Sequence, residues 1–210
     1  SNICQKIPGA NIDDIAKTIG LDPRIGKLFL NAGPGYGGSC LPKDMKAIIN
    51  FASNSGIKPT LLNAVEEVNT TQLQQIITIA SKRLGNLNSK RITILGTAFK
   101  PNTDDVRDSI AIELIKKLLR KKVKITIHDP KALENTRKIF GNKINYSRSV
   151  GDALSKSQCV ILMTQWKQYE KLGNNEFKRM TKKIVIDGRR MLSGKQLDVD
   201  YFAIGLGKEK

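Results

Sequence analysis

The hydrophobic period of this 210-residue chain changes once, near Lys90, and that change constrains the fold more than any other feature. Beyond it come short β-branched runs at residues 91–95 (RITIL), 123–128 (VKITIH), 159–163 (CVILM) and 184–187 (IVID). Helical patterns separate them, notably residues 109–121. Strands alternating with helices build βαβ units, so residues 89–210 are expected to form a Rossmann-like, doubly wound parallel sheet buried on both faces. Ligands bind such sheets beyond the carboxyl ends of the strands. The loops starting at Gly96, His128, Thr164 and Gly188 are therefore the candidate site, and they carry Lys100, Asp129, Gln165 and Arg189.

Residues 1–88 read instead as helices. Asn11 caps a run in which Ile12, Ile15, Ala16 and Ile19 recur at helical spacing, and Gly20 stops it. Pro42 opens a second helix with Met45, Ile48, Ile49 and Ala52 on one face, ending at Gly56. After Pro59, apolar residues from Leu61 to Leu84 keep near-heptad spacing over about 25 residues. That stripe wants a partner, and two readings stand level: packing inside its own domain, or a subunit interface. The fold class is thus α/β, a helical segment followed by the sheet domain.

Composition narrows the function classes. Hydrophobic residues make up 40%, enough for a core, and no apolar run approaches the length of a membrane span. The first residues lack the pattern of a secretory signal, so the chain as given is expected in the cytoplasm. Three cysteines without CxxC spacing and one histidine, His128, argue against a disulfide framework or a metal site. The net charge of +17 is uneven: residues 1–88 hold 9 basic and 6 acidic residues, residues 89–210 hold 27 and 13. Such a field attracts nucleic acid or phosphorylated small molecules. Aromatics are only 5% and are not interleaved with the basic residues, which speaks against nucleic acid.

Three motifs carry chemistry. Residues 33–38 (GPGYGG) match GxGxxG formally, but a dinucleotide fingerprint follows a strand, whereas the stretch before Gly33 reads as helix-like and Ser39-Cys40 interrupts the approach to the next helix. The glycines instead let the backbone approach a ligand closely. Cys40 sits at the start of the second helix with Lys43 and Asp44 just beyond, where the helix dipole and an ammonium favour a thiolate nucleophile. Cys4 and Cys159 lack such neighbours and read as buried hydrophobes. The loop at residues 96–107 (GTAFKPNTDDVR) exceeds the usual βα length, and Lys100 and Arg107 in it could meet phosphates.

Residues 33–44 (GPGYGGSCLPKD), 94–109 (ILGTAFKPNTDDVRDS), 159–166 (CVILMTQW) and 185–190 (VIDGRR) together resemble the UDP-glucose/GDP-mannose dehydrogenase family. The resemblance implies oxidation of UDP-glucose to UDP-glucuronate with two NAD⁺; GDP-mannose oxidation and a non-catalytic nucleotide-sugar module are the alternatives. It makes Cys40 the nucleophile that forms a thiohemiacetal and then a thioester, Asp44 the group that orients water, and Lys43 a holder of substrate or oxyanion charge. Substrate contacts would fall on the segment from Asn31 through Gly33, Gly35, Tyr36 and Gly37, and on Phe99, Lys100 and Arg189. Arg107 would contact NAD, and Arg24 would enter the neighbouring subunit's site in a homodimer joined through the helical segment. Gln165 departs from a position where the family commonly has glutamate. The family's N-terminal NAD-binding domain, and the opening of the helical domain that follows it with a catalytic lysine and asparagine, have no counterpart in these residues. The chain alone is therefore expected to bind UDP-sugar without turning it over.

Overall fold

The structure is a computed structural model in which residues 1–207 are described. Three helices come first: α1 (Ile12–Ile19), α2 (Leu41–Asn54) and α3 (Thr60–Leu84). The side chain of Asn11 accepts from Asp13 N at 3.1 Å and so starts α1, while Gly20 closes it. Pro42 lies in the first turn of α2, where its missing N–H costs nothing. The stretch ahead of the glycine-rich loop is not helical, contrary to the sequence reading. Pro23 and a left-handed Gly26 follow α1, and the backbone proceeds through turns and bends to Cys40.

The second half alternates as its periodicity demands: β1 (Arg91–Leu95), α4 (Ile110–Arg120), β2 (Lys124–His128), α5 (Leu133–Phe140), β3 (Asn145–Tyr146), α6 (Val150–Leu154), β4 (Cys159–Leu162), α7 (Asn174–Phe177), β5 (Ile184–Asp187) and β6 (Asp200–Ala203). The six strands are all parallel, in the order β3-β2-β1-β4-β5-β6. Val123 and Met163 flank strands rather than lying in them. The outer strands β3 and β6 gave no sequence signal, because a two-residue strand has no period and DYFA is half-solvated rather than a β-branched run.

Successive strand residues point to opposite faces, and each face has its own core. On one, Ile94, Ile161 and Ile186 pack with Leu114 and Ile115 of α4 and with Ile76, Ile77 and Ala80 of α3. On the other, Leu95, Val160, Leu162 and Val185 pack with Trp166, Tyr169 and Phe177. The second half of α3 is therefore one of the helices that cover the sheet. In its first half apolar side chains stay open to solvent: Leu61 is 76% exposed and Val68 52%. No helix among the described residues is long and apolar enough to cross a membrane.

Candidate functional site

The chain winds outward from β1 to β3 and returns to β4 beside β1, so the topological switch lies between β1 and β4. At their carboxyl ends Gly96, at φ +93°, passes so close that a Cβ on it would lie 2.5 Å from the Thr164 side chain. Thr164 Oγ1 donates to Ala98 O at 2.6 Å. Buried Asp129 ties three loops together. Its Oδ2 accepts from Thr97 N (2.7 Å), Ala98 N (3.0 Å) and Trp166 Nε1 (3.2 Å), and its Oδ1 from Lys131 N and Ala132 N. With both oxygens saturated, this carboxylate fixes the root of the loop bearing Phe99 and Lys100.

The glycine-rich loop threads between α3 and this edge of the sheet. Gly33 runs beside the Arg189 guanidinium and Gly35 against Asn69 of α3. A Cβ on Gly37 would sit 2.2 Å from Asp108 O, and one on Gly38 2.6 Å from the Phe99 ring. Gly38 N donates to Asp108 O at 3.2 Å. The loop delivers Cys40 to the N-cap of α2, exposed, with Ser39 Oγ 3.7 Å from its sulfur. Lys43 and Asp44 follow in the first turn, 3.4 Å apart and both open to solvent.

Arginines close the site. Arg189 Nε donates to Met163 O at 2.8 Å, and burial pulls its pKa down to about 10. Among the described residues no carboxylate pairs with its guanidinium, so an anion entering here would meet a half-buried cation without a counter-charge. Arg107 makes a bidentate pair with Asp105, Nη2 to Oδ2 at 2.7 Å. That pairing lowers the Asp105 pKa and raises that of Arg107. Lys100 Nζ stands 5.3 Å from the centre of the Phe99 ring.

Residues 1–71 match the central domain, and residues 93–194 the UDP binding domain, of the UDP-glucose/GDP-mannose dehydrogenase family. The chain belongs to that family. It is 42% identical over 96% of its length to the UDP-glucose 6-dehydrogenase of Haloferax volcanii, covering 46% of that protein. To the UDP-glucose 6-dehydrogenase of Rickettsia conorii it is 40% identical over 98% of its length, covering 49%. A UDP-glucose dehydrogenase structure from Pyrobaculum islandicum superposes with a TM-score of 0.87 at 34% identity, across 94% of this chain and 44% of that one. The chain thus spans about half the length of the relatives it matches.

Within the family's UDP binding domain fall Phe99, Lys100, Arg107 and Arg189; within its central domain fall the glycine-rich loop, Cys40, Lys43 and Asp44. The fold brings the loop glycines, Tyr36, Phe99 and Arg189 together. Arg24 it holds apart, in an exposed turn where Nη2 reaches Asp22 Oδ2 at 2.6 Å, and Asn31 is exposed. Sequence reasoning missed Glu66 and Asn69, which grip Tyr36, and Arg190, which turns away from Arg189 toward α1. A polar pair one turn apart on α3 was the only hint.

Proposed function

We propose that this chain is the UDP-sugar-binding and thiol-bearing part of an NAD-dependent UDP-glucose 6-dehydrogenase. The observation that carries the reading is the convergence, at the switch between β1 and β4, of a half-buried arginine with no carboxylate partner among the described residues, an aromatic ring and a glycine-rich loop that ends in an exposed cysteine heading a helix. Arg189 and Lys100 would meet the diphosphate and sugar, with Phe99 packing on the nucleotide. The first hydride leaves the C6 alcohol to give the C6 aldehyde, and the Cys40 thiolate adds to it, forming a C–S bond and, once the oxygen takes up a proton, a thiohemiacetal. Once the second hydride has left C6, the thioester is hydrolysed by a water that Asp44 orients, releasing carboxylate and returning the thiol. Lys43 and the α2 N-terminus stabilise the oxyanion.

NAD⁺ is the hydride acceptor in this chemistry, two per sugar. The residues described do not form its binding fingerprint: no strand precedes Gly33, and the turn after β1 carries Gly96 without GxGxxG. Arg107 is the one cofactor contact we assign to this chain. The helical segment at residues 1–88 would pair two copies through the first half of α3, bringing Arg24 to the partner's site.

Calorimetry with UDP-glucose, UDP and GDP-mannose tests the binding step. UDP-glucose and UDP are expected to bind this chain and GDP-mannose to compete poorly; the reverse order selects the GDP-mannose branch. Incubated with UDP-glucose and NAD⁺, the chain alone should give no steady NADH. In an enzyme that also carries a nicotinamide-binding domain, Cys40→Ser should keep UDP-glucose affinity and lose acid formation, since a hydroxyl is the poorer nucleophile. Undiminished turnover by that variant refutes the covalent role.

A further inference from the structure

The loop of residues 32–39 belongs to no helix or strand, so its backbone polar groups must find partners elsewhere. At its midpoint a single side chain supplies both. Asn69 Oδ1 accepts from Tyr36 N at 2.7 Å, and Asn69 Nδ2 donates to Tyr36 O at 3.1 Å. The amide thus imitates one rung of a sheet. One turn earlier on the same face of α3, Glu66 Oε2 accepts from Tyr36 Oη at 2.9 Å. Burial, and then the Glu66 carboxylate, push the Tyr36 pKa up, so the phenol stays protonated and donating. The approach is close enough to require glycine beside it: Gly35 has φ +115°, and a Cβ there would lie 2.7 Å from Asn69 Oδ1.

Two further facts connect this grip to the nucleophile. Asn69 lies one turn before Leu73, where α3 enters the sheet core, so its position inherits the rigidity of a packed helix. On the far side, Gly38 N is held by Asp108 O at 3.2 Å. The loop is therefore pinned from both halves of the molecule, by Asn69 and by Asp108, and Cys40 follows the second pin by two residues.

We infer that Asn69 is a positioning residue for Cys40, acting through Tyr36 to set where the thiol stands relative to the sugar held on the sheet. The inference rests on the thiol chemistry proposed above. Its test uses the 210-residue chain itself, following iodoacetamide alkylation of Cys40 by mass spectrometry with and without UDP-glucose. Cys4 and Cys159 are buried and serve as slow internal references. In the unmutated chain UDP-glucose should shield Cys40. Asn69→Ala should weaken that shielding by about tenfold while UDP affinity stays within about threefold, because misplacement by an ångström is enough to uncouple reacting groups. Asn69→Asp keeps the acceptor for Tyr36 N and loses the donor to Tyr36 O, and should fall between. It also decides the matter if the alanine variant melts. Thr70→Ala, on the exposed side of α3, should behave as the parent chain. Full shielding in both Asn69 variants overturns the inference, as does a loss of UDP affinity in step with shielding, which would mark general damage to the fold. An unmutated chain that neither binds UDP nor shields Cys40 overturns the underlying functional reading instead.

Discussion

Gly37 and Gly38 are answered by a backbone carbonyl and an aromatic ring that lie more than 60 residues away in the chain. The glycines announced close backbone contact in the sequence, but the walls they contact could not be named from it. Arg189 and Arg190 make the same point. As a pair in DGRR they look interchangeable, yet Arg189 faces the glycine-rich loop while Arg190, at φ +58°, turns to the other half. Arg190 Nε reaches Asp13 Oδ2 at 2.7 Å, Nη1 reaches Ile204 O at 2.8 Å, and Nη2 reaches Asn11 Oδ1, the cap of α1, at 2.5 Å. Arg190→Ala is expected to lower the unfolding free energy by about 1–3 kcal/mol in urea titrations, since its partners lose charged donors, some of them only half-buried. Arg189→Ala, which breaks no ion pair, should weaken UDP-glucose binding with a smaller stability loss. Equal stability losses would show that the two arginines do the same structural job.

Among the elements, α3 is where periodicity stopped short. Its near-heptad stripe was legible from end to end, and both readings of it, core and interface, were open. The fold divides them along the helix: residues from Leu73 onward enter the sheet core, and Leu61, Val65 and Val68 stay exposed. A stripe cannot report this, because the same spacing serves any apolar partner. Ile76→Ala should cost about 2–4 kcal/mol as a buried large-to-small change, whereas Leu61→Ala should stay within about 0.5 kcal/mol in the isolated chain. Chemical denaturation of both variants checks the division. The strands β1, β2, β4 and β5 were legible because burial on both faces demands continuous apolar runs. The edge strands escaped because their pairing comes from the neighbour rather than from their own residues.

Over the whole molecule, apolar exposure and charge lie in different places. Apart from Ile139, the large exposed apolar side chains of the described residues all fall within residues 1–68. Exposed Arg91, Lys121, Lys122, Lys124, Lys156 and Lys182 sit instead where strands begin, at the end of the sheet opposite the site. The charge asymmetry that singled out the second half is thus mostly solvated strand and helix ends, with Lys100 and Arg189 its few members near the ligand edge. That much exposed apolar side chain in one half of the molecule favours self-association. Sedimentation is expected to show a dimer, and the double substitution Leu61→Asp with Val65→Asp to give a monomer; a monomeric parent chain would refute the interface. By itself the sequence determined what depends on neighbours two to four residues apart: the helices, the central strands, and a cysteine at the start of α2. Only the tertiary structure decided which groups meet at the site, because Tyr36 with Asn69, 33 residues on, and Asp13 with Arg190, 177 residues on, are joined by strand order and helix placement that no local pattern encodes.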